Sequence, residues 1–141
     1  MSEQVIEGGC RCGAVRYRLR GLPLFTLHCH CADCRRSAGG PVQTWISYPK
    51  DQVSYAAGEP NRHQSSPGVW RGFCAACGTP LVYEATRIPD EVHILVGTLD
   101  SHITLAPERH VWWEEKVPWL DFDDDLPRYA RFSRGDAKPI A

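Results

Sequence analysis

Apolar residues recur along most of this chain at every second position, the spacing of strands with one buried face. In Val15-Arg16-Tyr17-Arg18-Leu19-Arg20 apolar and basic residues alternate strictly. Val42, Thr44, Ile46 and Tyr48 repeat the alternation, and Pro49-Lys50-Asp51 ends it. Shorter strands are predicted at 52–56, 69–73, 81–84 and 91–96, separated by turn residues such as Gly58-Glu59-Pro60 and Ile88-Pro89-Asp90. Helical spacing is confined to residues 32–38, closed by Gly39-Gly40-Pro41. The stretch 61–68 reads as a polar loop between strands, and the small, charged residues 133–141 as a frayed tail. Many short strands and one short helix predict an all-β protein. With no repeat and no linker, residues 1–141 read as a single domain with its core at about 8–131.

Charge narrows the range of partners. The 141 residues carry 16 Lys+Arg against 17 Asp+Glu, a formal charge of −1, which argues against a nucleic-acid binder held by phosphate contacts. No apolar run approaches the roughly 18 residues of a membrane helix. Residues 1–7 have neither the basic start nor the apolar centre of a secretion signal, so a cytoplasmic location is expected.

The seven cysteines change the picture most. An odd number excludes complete internal disulfide pairing, and in a reducing compartment clustered cysteines more often bind metal than each other. They fall in three groups, Cys10-Arg11-Cys12, Cys29-His30-Cys31-Ala32-Asp33-Cys34 and Cys74-Ala75-Ala76-Cys77. In an extended segment residues i and i+2 share a face about 6.6 Å apart, and their sulfurs can converge to the roughly 3.8 Å that tetrahedral zinc requires. A Cys-x-x-Cys pair reaches the same geometry from a tight turn. Cys12 and Cys77 are each followed by glycine, which can take the positive φ that turns backbone amides toward sulfur. The shared Cys-Gly ending points to the first and last groups as two halves of one four-cysteine structural zinc site.

Cys29, Cys31 and Cys34 then remain, one ligand short of a closed shell. Three protein ligands with an open fourth position is the arrangement of catalytic zinc. If 24–31 runs extended, Cys29 and Cys31 share one face, His28 and His30 take the other, and Cys34 returns from the first turn of the helix. Two alternatives stay open. His28 or His30 could swing round to close the shell, or Cys31 and Cys34 could form a redox pair, which would leave Cys29 without a role. Two loaded ions and seven thiolates would take the formal charge from −1 to about −4.

At this point the residues look like a known family. Gly8-Gly9-Cys10-Arg11-Cys12-Gly13, the middle run extended to Cys34-Arg35-Arg36, and Phe73-Cys74-Ala75-Ala76-Cys77-Gly78-Thr79-Pro80-Leu81 resemble the glutathione-dependent formaldehyde-activating family, which also includes centromere protein V. Gly97-Thr98-Leu99-Asp100, Pro107-Glu108-Arg109-His110-Val111-Trp112 and Pro118-Trp119-Leu120 fit the same pattern, so the resemblance runs from about Gly8 to Arg131. It implies small, coiled antiparallel β-sheets. It also implies two zinc ions per chain, a structural one on Cys10, Cys12, Cys74 and Cys77 and a catalytic one on Cys29, Cys31 and Cys34. The implied activity joins glutathione and formaldehyde into S-hydroxymethylglutathione, a carbon–sulfur lyase run backwards. The reading from another class is a non-catalytic zinc module that binds a thiol such as glutathione, or a protein partner.

Other residues are weighed beside these. Arg35 and Arg36 could grip a substrate carboxylate through paired hydrogen bonds, or form a solvated helix face. Of Trp45, Trp70, Trp112, Trp113 and Trp119, Trp45 is the choice for lining a substrate pocket, because it follows the cysteine helix. His110 reads as a hydrogen-bonded structural histidine ahead of a proton shuttle. His63, His93 and His102 belong to no constellation. Asp121-Phe122-Asp123-Asp124-Asp125 lacks the glycine and distal glutamate of a calcium loop and reads as a solvated acidic turn.

Overall fold

The computed structural model describes residues 4–101 and 105–141; the opening residues 1–3 and His102 lie outside them. The protein is mostly β-sheet with a single short helix among the described residues. It divides into two compact units, 4–24 with 46–101 and 25–45 with 105–141. Neither is a continuous stretch of chain, so no linker marks them in the sequence.

In the first unit, β1 (Val5–Gly9), β2 (Arg16–Arg20) and β5 (Val53–Ala57) form an antiparallel sheet in the order β1-β2-β5. The alternation read in β2 is obeyed. Tyr17 and Leu19 are buried while Arg18 and Arg20 face solvent. Arg16 forks onto Asp100, and Arg18 pairs with Glu7 across the β1–β2 ladder. On the buried face, Gly8 lets the strands close over Tyr17, because a Cβ there would lie 2.4 Å from the phenol oxygen.

The same unit holds β6 (Asn61–Ser66), β7 (Val69–Phe73), β8 (Pro80–Ala85) and β9 (Glu91–Leu95), paired antiparallel in sequence. Residues 46–49 of β4 (Gln43–Pro49) take the place beside β9. The segment read as a polar loop is therefore strand β6 over most of its length. Every residue of β6 is exposed, so burial imposes no alternation and the strand leaves no hydrophobic trace in the sequence. Ile46, Leu81, Val82, Val92 and Ile94 supply the core of this unit.

The second unit contains β3 (Phe25–Cys29), α1 (Ala32–Ala38), residues 43–45 of β4 and the two-residue strand β10 (His110–Val111). β10 runs parallel to β3, setting His110 beside His28 and Val111 beside Cys29. In the tail read as frayed, the Ile140 N–H bonds the Arg128 carbonyl and the Ala141 carbonyl accepts the Arg128 N–H.

Candidate metal centres

Two glycine-closed turns of similar construction present the first group of sulfurs. The Cys10 N–H bonds the Val15 carbonyl at 3.1 Å and the Gly13 N–H returns to the Cys10 carbonyl at 3.2 Å; Cys74 N–H to Thr79 (3.0 Å) and Gly78 N–H to Cys74 (2.8 Å) repeat the pattern. Both turns need a positive φ, 82° at Gly13 and 80° at Gly78, which explains the Cys-Gly pairs. The four sulfurs of Cys10, Cys12, Cys74 and Cys77 lie within 4.8 Å of one another. Cys10 to Cys12 is 3.6 Å and Cys12 to Cys74 is 3.8 Å. Those spacings match the roughly 3.8 Å edge of a tetrahedral zinc–thiolate shell.

Neighbouring donors favour thiolate at part of this cluster. The Val15 N–H donates to the Cys10 sulfur at 3.3 Å. The Thr79 hydroxyl, 3.1 Å from the Cys77 sulfur, leads the effects that hold Cys77 down to about 5. At Cys12 an amide contact from Ala14 lowers the pKa, but the crowding sulfurs of Cys10 and Cys77 outweigh it and push the thiol up to about 11. Four sulfurs this close cannot all ionise unaided, and a dication relieves that conflict. The donor set fits a divalent, thiophilic metal ion.

The second cluster is built differently. Cys29 ends β3, Cys31 is the N-cap of α1, and Cys34 lies in its first turn. The Cys34 N–H donates to the Cys31 sulfur at 3.3 Å, a capping contact that uses sulfur as acceptor. The three sulfurs again lie within 4.8 Å of one another, with Cys29 and Cys34 buried and Cys31 half-buried. The Cys31 and Cys34 sulfurs push the Cys29 thiol well up, and burial adds to the effect. This trio also fits a thiophilic metal. Among the described residues no nitrogen or carboxylate joins it as a fourth donor.

The flanking histidines are committed elsewhere. His28 Nδ1 meets the Thr44 hydroxyl at 2.8 Å, and His30 Nε2 meets His110 Nδ1 at 2.9 Å. His110 Nε2 faces the Asp124 carboxylate at 3.0 Å. Burial, helped by His110, pushes His28 and His30 down to about 4. Burial also lowers His110, against the pull of Asp124. Burial opposes the Asp124 charge, but His110, the Leu126 N–H and Arg128 together hold its carboxyl down to about 2. The expected solvated acidic turn is thus corrected at Asp124, which is the anchor of a buried histidine pair.

Of the remaining predicted site residues, Arg35 is half-buried on α1 and Arg36 is exposed. Among the described residues the buried Arg35 Nε has no hydrogen-bond partner. Trp45 is 5% exposed on β4. Glu115 belongs to no motif in the sequence. It accepts the Ala32 N–H at 2.8 Å, in the turn between Cys31 and Cys34, from a position 83 residues further along the chain. No local pattern announces such a contact. Thr79, immediately after Cys77-Gly78, carries a local signal, a hydroxyl two residues from a cysteine.

A mostly β chain with two separate cysteine clusters, one of four sulfurs and one of three, each able to hold a metal ion, defines the class of protein. Residues 5–115 match the model of the family described as glutathione-dependent formaldehyde-activating enzyme, and the chain belongs to that family. A relative from Halomonas elongata, named "Putative glutathione-dependent formaldehyde-activating enzyme", is 31% identical over 130 residues, covering 84% of this chain and 82% of the relative. The crystal structure of a Rhodobacter sphaeroides protein is similar at a TM-score of 0.58 and 21% identity, over 70% of this chain and 91% of that one, a likeness of fold. No described helix is long and apolar enough to cross a membrane.

Proposed function

We propose that this chain is a zinc-dependent enzyme of the carbon–sulfur lyase type that joins a small thiol to an aldehyde, with glutathione and formaldehyde as reactants and S-hydroxymethylglutathione as product. The observation that carries the proposal is the contrast between four clustered sulfurs and three, with His28 and His30 bonded away from the trio. Four thiolates fill a tetrahedral shell, so Cys10, Cys12, Cys74 and Cys77 would hold a structural ion. Three leave a place for a ligand, so Cys29, Cys31 and Cys34 would hold the ion at the reacting centre. Bound there, zinc supplies a Lewis acid that lowers the pKa of an incoming thiol.

The chain's own residues set the rest. Three thiolate donors place much negative charge on the centre, which favours activation of the thiol over polarisation of the aldehyde. The reactant sulfur forms the new bond to the formaldehyde carbon, the carbonyl π pair moves to oxygen, and that oxygen takes up the proton the thiol released. Arg35, whose buried Nε has no partner among the described residues, is suited to a carboxylate on the thiol, whereas Arg36 is left to solvent. Trp45 is assigned to the pocket wall. The family match and the name of the Halomonas relative support this substrate pair. A cytoplasmic location accords with seven free thiols and no disulfide.

The test follows adduct formation from formaldehyde and glutathione by NMR exchange, with two zinc ions per chain confirmed beforehand by native mass spectrometry. Exchange faster than in buffer, lost in Cys31→Ser, is expected. Equal rates with and without fully loaded protein would overturn the proposal, and thiol binding without turnover would leave a non-catalytic zinc module.

A further inference from the structure

We propose that Asp124 and His110 are positioning residues for the three-sulfur cluster: they fix the His30 ring and, through it, the backbone that carries Cys29 and Cys31. The inference rests on the reading that this cluster holds a metal ion.

His30 sits between two of the three sulfurs, so its backbone is theirs. Extended chain sends successive side chains to opposite faces. Cys29 and Cys31 gather with Cys34, while the His30 ring is fully buried, edge-on to Trp113 at 5.0 Å and to Phe122 at 5.3 Å. There its Nε2 lies 2.9 Å from His110 Nδ1. The other nitrogen of His110 lies 3.0 and 3.3 Å from the two Asp124 oxygens. Asp124 is itself held by the Leu126 N–H at 3.0 Å and by the Arg128 guanidinium.

This chain of bonds has one direction. A carboxylate only accepts, so the Nε2 of His110 carries the hydrogen, and in the neutral ring its Nδ1 offers a lone pair. His30 must then donate from Nε2, which leaves its own Nδ1 bare. That atom is buried and has no partner among the described residues, so a lone pair there costs less than an unbonded N–H would. The same short segment also holds the backbone. The His30 N–H bonds the Val111 carbonyl at 3.1 Å, the His28 N–H bonds Arg109 at 3.0 Å, and Glu115 accepts from Ala32. Ring and main chain of the Cys29–Cys31 segment are therefore fixed by residues of one short stretch, 109–115. The four-sulfur cluster is held differently, by its two glycine turns and by the Thr79 hydroxyl, which accepts the Arg11 N–H at 3.1 Å and lies 3.1 Å from the Cys77 sulfur.

Nitrogen-15 NMR of the metal-loaded, unaltered protein reads the tautomers directly. Both His110 and His30 are expected to carry hydrogen on Nε2, and hydrogen on His30 Nδ1 would overturn the proposal. Asp124→Ala is then compared with Asp100→Ala in a chelator competition using cadmium as the probe metal. Cadmium-113 NMR separates four-sulfur from three-sulfur coordination. Asp124→Ala is expected to weaken the three-sulfur site about tenfold, a size usual for groups that orient metal ligands, while the four-sulfur site stays within about twofold and Asp100→Ala changes neither. Equal weakening of both sites, or of neither, would overturn the positioning role. If Asp124→Ala does not fold, the tautomers of the unaltered protein decide. An unaltered protein that takes cadmium at four sulfurs only would instead overturn the parent reading of the trio as a metal centre.

Discussion

The two cysteine clusters use the same chemistry on different supports. The four-sulfur cluster joins two distant parts of the first unit through paired Cys-Gly turns, with Cys12 and Cys77 exposed at its edge. The three-sulfur cluster sits where a strand passes into a helix, with two sulfurs buried and a second layer of histidines, carboxylates and tryptophan packed behind it. On the reading proposed above, the ion at four sulfurs would never change partners, so strong ligands from two separated segments would suffice. A centre that exchanges a ligand has one contact fewer to fix it, so the protein must hold the remaining sulfurs by other means. At the trio that support comes from the His30–His110 pair, Asp124 and Glu115.

The largest effect expected from this contrast is on metal removal. Structural zinc contributes on the order of 10 kcal/mol in small sites, comparable to the whole net stability of a domain. Stripping the ion from Cys10, Cys12, Cys74 and Cys77, or replacing Cys74 by Ser, is expected to abolish the folded signal in circular dichroism. Emptying the trio through Cys31→Ser is expected to leave that signal in place. Equal losses from both would erase the distinction between staple and working centre.

Alkaline pH separates the units next. Burial pushes Tyr17 and Tyr55, both in the first unit, up to about 12. A raised pKa means that the folded state keeps its proton, so this contribution is intact below about pH 10 and is lost as pH rises toward 12. For Tyr17, 1% exposed and 2.6 Å from the Thr98 hydroxyl, the loss is on the order of 2 kcal/mol. Urea denaturation between pH 9 and 12 is expected to show the slope, and Tyr17→Phe to flatten it.

Smaller changes sharpen the picture. Glu115→Ala leaves the Ala32 N–H without its acceptor and is expected to lower stability by about 1–2 kcal/mol. Glu115→Gln keeps an acceptor oxygen and is expected to recover most of that, as thermal unfolding can measure. The smallest effect belongs to the surface. Asp100→Asn weakens a part-exposed ion pair with Arg16 and is expected to change stability by less than about 1 kcal/mol in chemical denaturation.

Much of this was written plainly in the sequence because it depends on neighbours. Strand β2 betrays itself by alternation, since one face is buried and the other wet. The sulfur clusters betray themselves by spacing, and helix α1 by its glycine stop. What escaped depends on residues far apart or on burial that imposes no pattern. Strand β6 is exposed on every residue, so nothing in its composition distinguishes it from a loop. Asp124 sits in a run of aspartates that looks solvated until His110 and Arg128 are brought to it. Glu115 reaches Ala32 across most of the chain.

The most direct measurement is zinc-edge X-ray absorption on protein loaded with two zinc ions, recorded before and after saturation with a small thiol. Addition of thiol is expected to raise the sulfur count at one ion by a single atom and to leave the other, already bound by four sulfurs, unchanged. A spectrum unaltered by thiol, with a histidine nitrogen completing the shell of the second ion from the start, would contradict an open three-sulfur centre.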